Sequence, residues 1–252
     1  MRSSSQSGSR PAAPAEKRVV LHGLAPADSF AARPVAAGLS GQRIFLLSPA
    51  NAGGRRAKML LSGKAQFGLA QKLRTDGATI GEIFSFMSAL YFRGKLEYAR
   101  TFANPPSGLP GILVITPGDG ILPADAVISH DFLIRMAATR VHHQDDVYRS
   151  ALVRDAAALH EKLAAGVPVI LLGSLATQKY LDPLVPIFGE RLVFPSKFLG
   201  MGNMQRGGVL LRACRAGQEL EYCAVAIATT KLAADKARSK TRKKKKRISP
   251  AE

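Results

Sequence analysis

Four short segments of this chain carry the side chains that could bind or transform a ligand. The first holds Ser48, Asn51, Gly53 and Gly54, with Arg55, Arg56 and Lys58 directly after. The second is Thr116-Pro117-Gly118-Asp119-Gly120, the third holds Gly173, Ser174 and Thr177, and the fourth holds Gly202, Asn203 and Arg206 within Gly200 to Gly208. Hydroxyls, amides and approachable glycine backbone can donate to an anion, and a guanidinium such as Arg206 suits bidentate contact with phosphate or carboxylate. Free N–H groups where a helix opens at Arg55 would add an anion site; an ordinary turn with solvated arginines is the competing reading. Asp119, between two glycines, is the candidate general base, although Asp-Gly is also common turn chemistry. His142 and Asp145 have metal-ligand side chains, but no second cluster has matching spacing, and polar residues ahead of a helix commonly cap it. Neither a metal nor a cofactor is expected.

These residues need a scaffold that brings distant loops together. Arg43 to Leu47, Gly111 to Thr116 and Val167 to Leu172 are short apolar runs, each followed by Ser, Thr or Gly and a polar loop. Such runs fit parallel strands buried on both faces, whose carboxyl ends gather the loops into one crevice. From Val167 the pattern reads strand, loop, helix (Leu175, Tyr180, Leu184, Ile187) and strand again at Leu192 to Phe194. Thr79 and Glu82 have capping-box spacing, and Ile80, Phe84, Met87, Tyr91, Tyr98 and Phe102 continue it as an apolar helical stripe. Arg93, Lys95 and Arg100 interleave with Phe92 and Tyr98, either as a stacking and phosphate surface or, more commonly, as a solvated basic face. Tyr148, Leu152, Leu159 and Leu163 mark another helix, closed by Gly166. The expected fold is α/β: three layers, a mostly parallel central sheet flanked by helices, and a C-terminal antiparallel hairpin, Val209 to Ile227 about Gly217-Gln218, at the sheet edge. On that hairpin Cys214 would face Glu221, so both Cys214 and Cys223 are expected as reduced thiols.

Charge and composition bound the partners. Among 252 residues, 36 Lys plus Arg stand against 18 Asp plus Glu, a formal +18. The last 22 residues supply +8 of this, chiefly through Lys240, Arg242, Lys243, Lys244, Lys245, Lys246 and Arg247, which leaves the rest basic as well. Such an excess attracts polyanions, and a tail without an apolar face favours nucleic acid over membrane. Hydrophobic residues at 46% imply a sizeable core, while no run approaches the roughly 18 apolar residues of a membrane span. One domain, 18–230, is expected between a leader, 1–17, and a basic tail, 231–252. Met1 to Ala15 lacks an apolar segment, so the expected location is the cytoplasm.

Several phrases resemble a known pattern. Leu46-Leu47-Ser48-Pro49-Ala50 is similar to the strand-and-SPA opening of the YaaA-type peroxide-stress DNA-binding family. Thr116 to Asp125, Val169 to Ser174 with Tyr180, and Gly200 to Arg206 resemble its later loops in order and rough spacing. The chain also resembles a conserved bacterial family of uncharacterised function, through Phe84 to Lys95 and Phe188 to Pro195. The wider resemblance implies a uracil-DNA-glycosylase-like three-layer fold with a site for nucleic acid or a base. Against the glycosylase pattern Asn51 is displaced, and Phe194 stands where a His would precede Pro195-Ser196.

The first functional expectation is a nucleic-acid-binding protein, with the loop crevice on phosphates and the tail adding affinity. An enzyme acting on a nucleobase or nucleotide at the same crevice is the alternative, and a module for an acidic protein surface a third.

Overall fold

The computed structural model describes residues 41–226, apart from 89, 140, 143, 176 and 177. The expected leader, Arg18 to His22, which the sequence suggests as a short edge strand, Thr177 and the basic tail from Lys240 to Arg247 lie outside those residues. Along the chain, β1 (Ile44–Leu47) is followed by α1 (Arg55–Leu61), α2 (Gly68–Thr75), β2 (Ala78–Thr79), α3 (Ile80–Ser88) and α4 (Leu90–Phe102). Then come β3 (Ile112–Ile115), β4 (Ile121–Pro123), β5 (Val127–Ile128), α5 (His130–Ala138) and α6 (Asp146–Lys162). The last elements are β6 (Val169–Leu172), α7 (Gln178–Phe188), β7 (Leu192–Pro195), α8 (Asn203–Ala216) and β8 (Tyr222–Ala224).

The apolar runs become the sheet. Every residue of β1, β6 and β7 is buried, as strands covered on both faces must be. Strand order is β4-β3-β1-β6-β7-β8, parallel through β3, β1, β6 and β7, with β4 and β8 antiparallel at the edges. The chain leaves β1 for β3 on one side and returns from β3 to β6 on the other. Right-handed crossovers therefore place the two connections on opposite faces, and the loops part just beyond β1 and β6. Those strands end level: Leu47 pairs with Leu172, and Ser48 N donates to Leu172 O at 3.1 Å.

One outer layer holds α3, α4 and α8, with α4 packed on β1 and β3; the other holds α6 and α7, with α7 against β7 and α6 against β4. The closest approach of helices is glycine on glycine. A Cβ at Gly94 would lie 2.9 Å from Gly207 O, and one at Gly207 would lie 3.1 Å from Leu90 O. Two glycines thus let α8 press against α4 near the sheet's carboxyl edge.

Local signals account for several boundaries. Glu82 accepts from Thr79 N at 2.9 Å while Thr79 Oγ1 accepts from Glu82 N at 3.2 Å, the reciprocal capping box that opens α3. Asp145 caps α6 by accepting from Tyr148 N at 3.0 Å, so this polar pre-helix segment serves the helix start. The antiparallel C-terminal edge is present, but its arms are β7 and β8. Val209 to Arg212 lies inside α8, and Gly217, at φ 61°, is that helix's C-cap and not a hairpin turn. Cys214 consequently sits on α8, apart from Cys223 on β8, and neither forms a disulfide.

The β8 edge is tied down by a polar chain. Leu220 N donates to Tyr98 Oη at 2.8 Å, so the Tyr98 hydroxyl donates onward to Tyr222 Oη at 2.7 Å, and Tyr222 donates to Glu219 at 2.8 Å. Glu219 also pairs with Arg43 Nε at 3.0 Å, at the entry to β1. This relay joins the first and last strands through α4.

Candidate functional site

A cleft of about 640 Å³ opens where β1 and β6 end, the position at which open α/β sheets bind ligands. Its wall comes from the loop Ser48 to Gly53, from Ser88 and Tyr91 of the α3–α4 region, and from Ala137, Thr139 and Val141 after α5. Ser174, Lys179, Tyr180 and Asn203 complete it. No Asp or Glu lines this cleft, and Lys179 is its one cationic lining residue among the described residues. Burial holds the Lys179 ammonium below the usual lysine range.

Beneath the floor lies Lys95, fully buried on α4. Its Nζ is 2.5 Å from Ser48 O and 2.9 Å from Ser48 Oγ, with the rings of Tyr91 and Phe92 centred 4.7 and 4.8 Å away. No carboxylate pairs with it among the described residues. Ring faces and a carbonyl favour the ammonium form. Complete desolvation without a counter-charge, helped by the nearby Lys179, acts more strongly the other way and holds the pKa well below the ordinary 10.5. Burying an unpaired charge costs several kcal/mol, whereas a desolvated cation–π contact returns about 2. The Tyr180 phenol, another residue of the cleft wall, is pushed up by burial, a rise that the Ser48 side chain opposes.

Ser48 has this room because its neighbour on β6 is followed by glycine. A Cβ on Gly173 would lie 3.1 Å from Ser48 Cβ and 3.4 Å from Oγ. Gly173 O is in turn fixed by Tyr91 Oη at 3.4 Å and Arg206 Nη1 at 3.3 Å. In the loop beyond Ser48, the amides of Ala50, Asn51 and Ala52 find no acceptor among the described residues, while Gly53 N donates to Asn51 Oδ1 at 3.1 Å. That leaves three backbone donors in a segment that lines the cleft.

The structure brings together Ser48, Asn51, Gly53, Ser174 and Asn203 of the residues singled out from sequence. Others go elsewhere. Arg206 is 8% exposed and, with Nη2 on Phe198 O at 3.3 Å, it clamps two backbone carbonyls; the Gly200 to Gly208 segment is mostly the start of α8, with Gly202 as N-cap, so it does not offer a guanidinium to solvent. Arg55, Arg56 and Lys58 are exposed on α1 behind Gly54, with Arg56 donating to Phe86 O at 3.0 Å. Thr116 spends both its amide and hydroxyl on Gly120 O, closing the turn between β3 and β4. Gly120 is required there, because a Cβ would fall 1.9 Å from the Asp155 carboxylate that holds Ile121 N. Asp119 sits in this turn and does not line the cleft; burial raises its pKa and Arg135 opposes that. His142 Nδ1 accepts from Gln144 N at 3.3 Å.

Lys95, Lys179, Tyr91 and Tyr180 are the site residues that the loop pattern did not single out. For Lys95 a signal existed: it follows Tyr91 by four and Phe92 by three, and precedes Tyr98 by three, so it belongs to the buried stripe and not to the face of Arg93 and Arg100, which are exposed.

Comparison with known proteins finds no matching family model, no matching curated protein and no matching solved structure. The α/β class and the cleft therefore rest on this chain's own geometry.

Proposed function

We propose that this protein binds nucleic acid and holds one nucleotide unit in the cleft at the ends of β1 and β6. The observation that carries this reading is a nucleotide-sized cleft with donors and a lysine on its wall and no carboxylate. Lys179 and the free amides of Ala50 to Ala52 would meet phosphate oxygens, and Ser174 and Asn203 offer neutral donors and acceptors to a sugar or base. The first turn of α8, without an acidic residue, reaches the same wall through Asn203 and adds its positive end. A cleft of this size admits a single unit and not a duplex, so duplex affinity would come from the exposed Arg55, Arg56 and Lys58 and from the basic tail, by counterion release.

The test is binding of labelled single-stranded and duplex DNA and RNA, and of mononucleotides, against salt. It compares the full chain, a chain ending at Thr230, and full-length Lys179→Ala. The expected result is that the shortened chain still binds single strands or mononucleotides, and that Lys179→Ala weakens this and lowers the salt slope by about 1. If the shortened chain bound none of these ligands, or Lys179→Ala left binding unchanged, the cleft would not be the site.

A further inference from the structure

The cleft floor has more than binding chemistry in it. Ser48 lines the cavity, and its Oγ lies 2.9 Å from the Nζ of a fully buried lysine that pairs with no carboxylate among the described residues. We propose that Ser48 and Lys95 form a serine–lysine catalytic pair, in which Lys95 Nζ takes the Ser48 hydroxyl proton as Ser48 Oγ attacks the carbonyl carbon of an acyl ester or amide bound in the cleft. This goes beyond the nucleotide reading and rests only on the cleft being a ligand site.

The hydrogen bonds around Nζ fit an amine. A neutral amine has two protons and one lone pair. One proton goes to Ser48 O at 2.5 Å and the second faces the Tyr91 or Phe92 ring, leaving the lone pair for the Ser48 hydroxyl proton. An ammonium in the same place could only donate to Ser48 Oγ and would hold the hydroxyl as an acceptor. Desolvation of Lys95 favours the form that can accept.

The steps balance with water as co-reactant. Ser48 Oγ forms a bond to the carbonyl carbon as its proton passes to Lys95. The tetrahedral oxyanion would be met by the loop whose Ala50, Asn51 and Ala52 amides have no acceptor among the described residues. The bond to the leaving alcohol or amine then breaks, and that group departs with the proton from Lys95. Water attacks the acyl–Ser48 ester, gives its proton to Lys95, and Ser48 regains a proton as the free acid leaves. Lysine as base to a serine nucleophile is an established variant of the triad logic. With no carboxylate on the lining and Lys179 across it, the cleft suits an acyl substrate that carries an anionic group.

The test treats the full chain with 4-nitrophenyl acetate and with a fluorophosphonate, followed by intact mass and peptide mapping. One adduct on Ser48 is expected, absent in Ser48→Ala. Lys95→Met, with its melting temperature recorded, is expected to slow modification about 100-fold or more. Should Lys95→Met fail to fold, the pH dependence of wild-type labelling decides: the rate must rise with pH and level off below the ordinary lysine range. No adduct with either probe, equal labelling of Ser48→Ala, an unchanged rate in a folded Lys95→Met, or a rate climbing through the lysine range without levelling would each overturn the proposal. Nucleotide affinity, measured separately, can survive any of these results, so failure here and failure of the binding reading are distinguishable.

Discussion

Replacing Lys95 with Met converts the state of a buried amine into a measurable slope. Lys95 is fully buried and its folded pKa lies well below 10.5 because burial removes water from the ammonium. Between that folded value and 10.5 the unfolded chain binds a proton at Lys95 that the folded chain does not. Stability conferred relative to a permanently neutral side chain is therefore complete above the unfolded pKa and is lost as pH falls toward the folded pKa. The slope is at most about 1.4 kcal/mol per pH unit, one proton's worth. Met is similar in length and cannot titrate. Other groups titrate alike in both chains, so urea unfolding of wild type and Lys95→Met from neutral to alkaline pH should give a difference that moves by about 1.4 kcal/mol per unit, with wild type gaining as pH rises. A pH-independent offset of about 1–3 kcal/mol will lie beneath it, because Ser48 O loses its buried donor. Parallel curves would mean that Lys95 keeps the same proton in both states. That outcome would refute the neutral amine, and with it the base assigned to Ser48.

Two further substitutions separate packing from chemistry. Gly94→Ala puts a Cβ 2.9 Å from Gly207 O, where overpacking costs about 1–3 kcal/mol against about 1 returned by helix propensity, so a lower melting temperature is expected; Gly208→Ala, whose Cβ meets only the end of Arg212 at 3.3 Å, should be neutral or stabilising. Equal melting of the two would show that α4 and α8 do not depend on the glycine contact. Asp119→Asn should leave stability within about 0.5 kcal/mol and ligand binding intact, since Asp119 occupies the β3–β4 turn outside the cleft; loss of binding or turnover would restore it as a candidate base.

The strands were legible because burial on both faces leaves a run with almost no polar letters, as in Ile44–Leu47 and Val169–Leu172, and nothing competes with that signal. The position of the cleft followed, since parallel strands of one sheet must end together. Glycine density was the misleading signal. At Gly200 to Gly208 it was read as a loop open to ligand, whereas Gly200 turns the chain at φ 76°, Gly202 caps α8, and Gly207 makes space for a neighbouring helix. Glycine reports that something comes close without saying whether the visitor is a ligand or another backbone. Lys95 was hidden for a different reason. Lysine is so rarely buried that its type outweighs its place in a stripe, and only tertiary packing shows that α4 turns Tyr91, Phe92 and Lys95 inward together.

Two basic side chains, Arg206 and Lys95, are buried near the end of the sheet, and their hydrogen bonds separate their roles. Arg206 spends its terminal nitrogens on Gly173 O and Phe198 O, fixing the turn after β6 to the segment before α8. A guanidinium has donors only, so it holds those carbonyls and has no lone pair with which to act as a base. Lys95 ends on a carbonyl and a hydroxyl of the one residue, Ser48, that both terminates β1 and lines the cleft. The two sites meet at Gly173. Its carbonyl is held by Arg206, and its missing side chain leaves the space in which the Ser48 hydroxyl meets Lys95. A purely donating clamp thus holds in place the residue beside which the proposal puts the nucleophile.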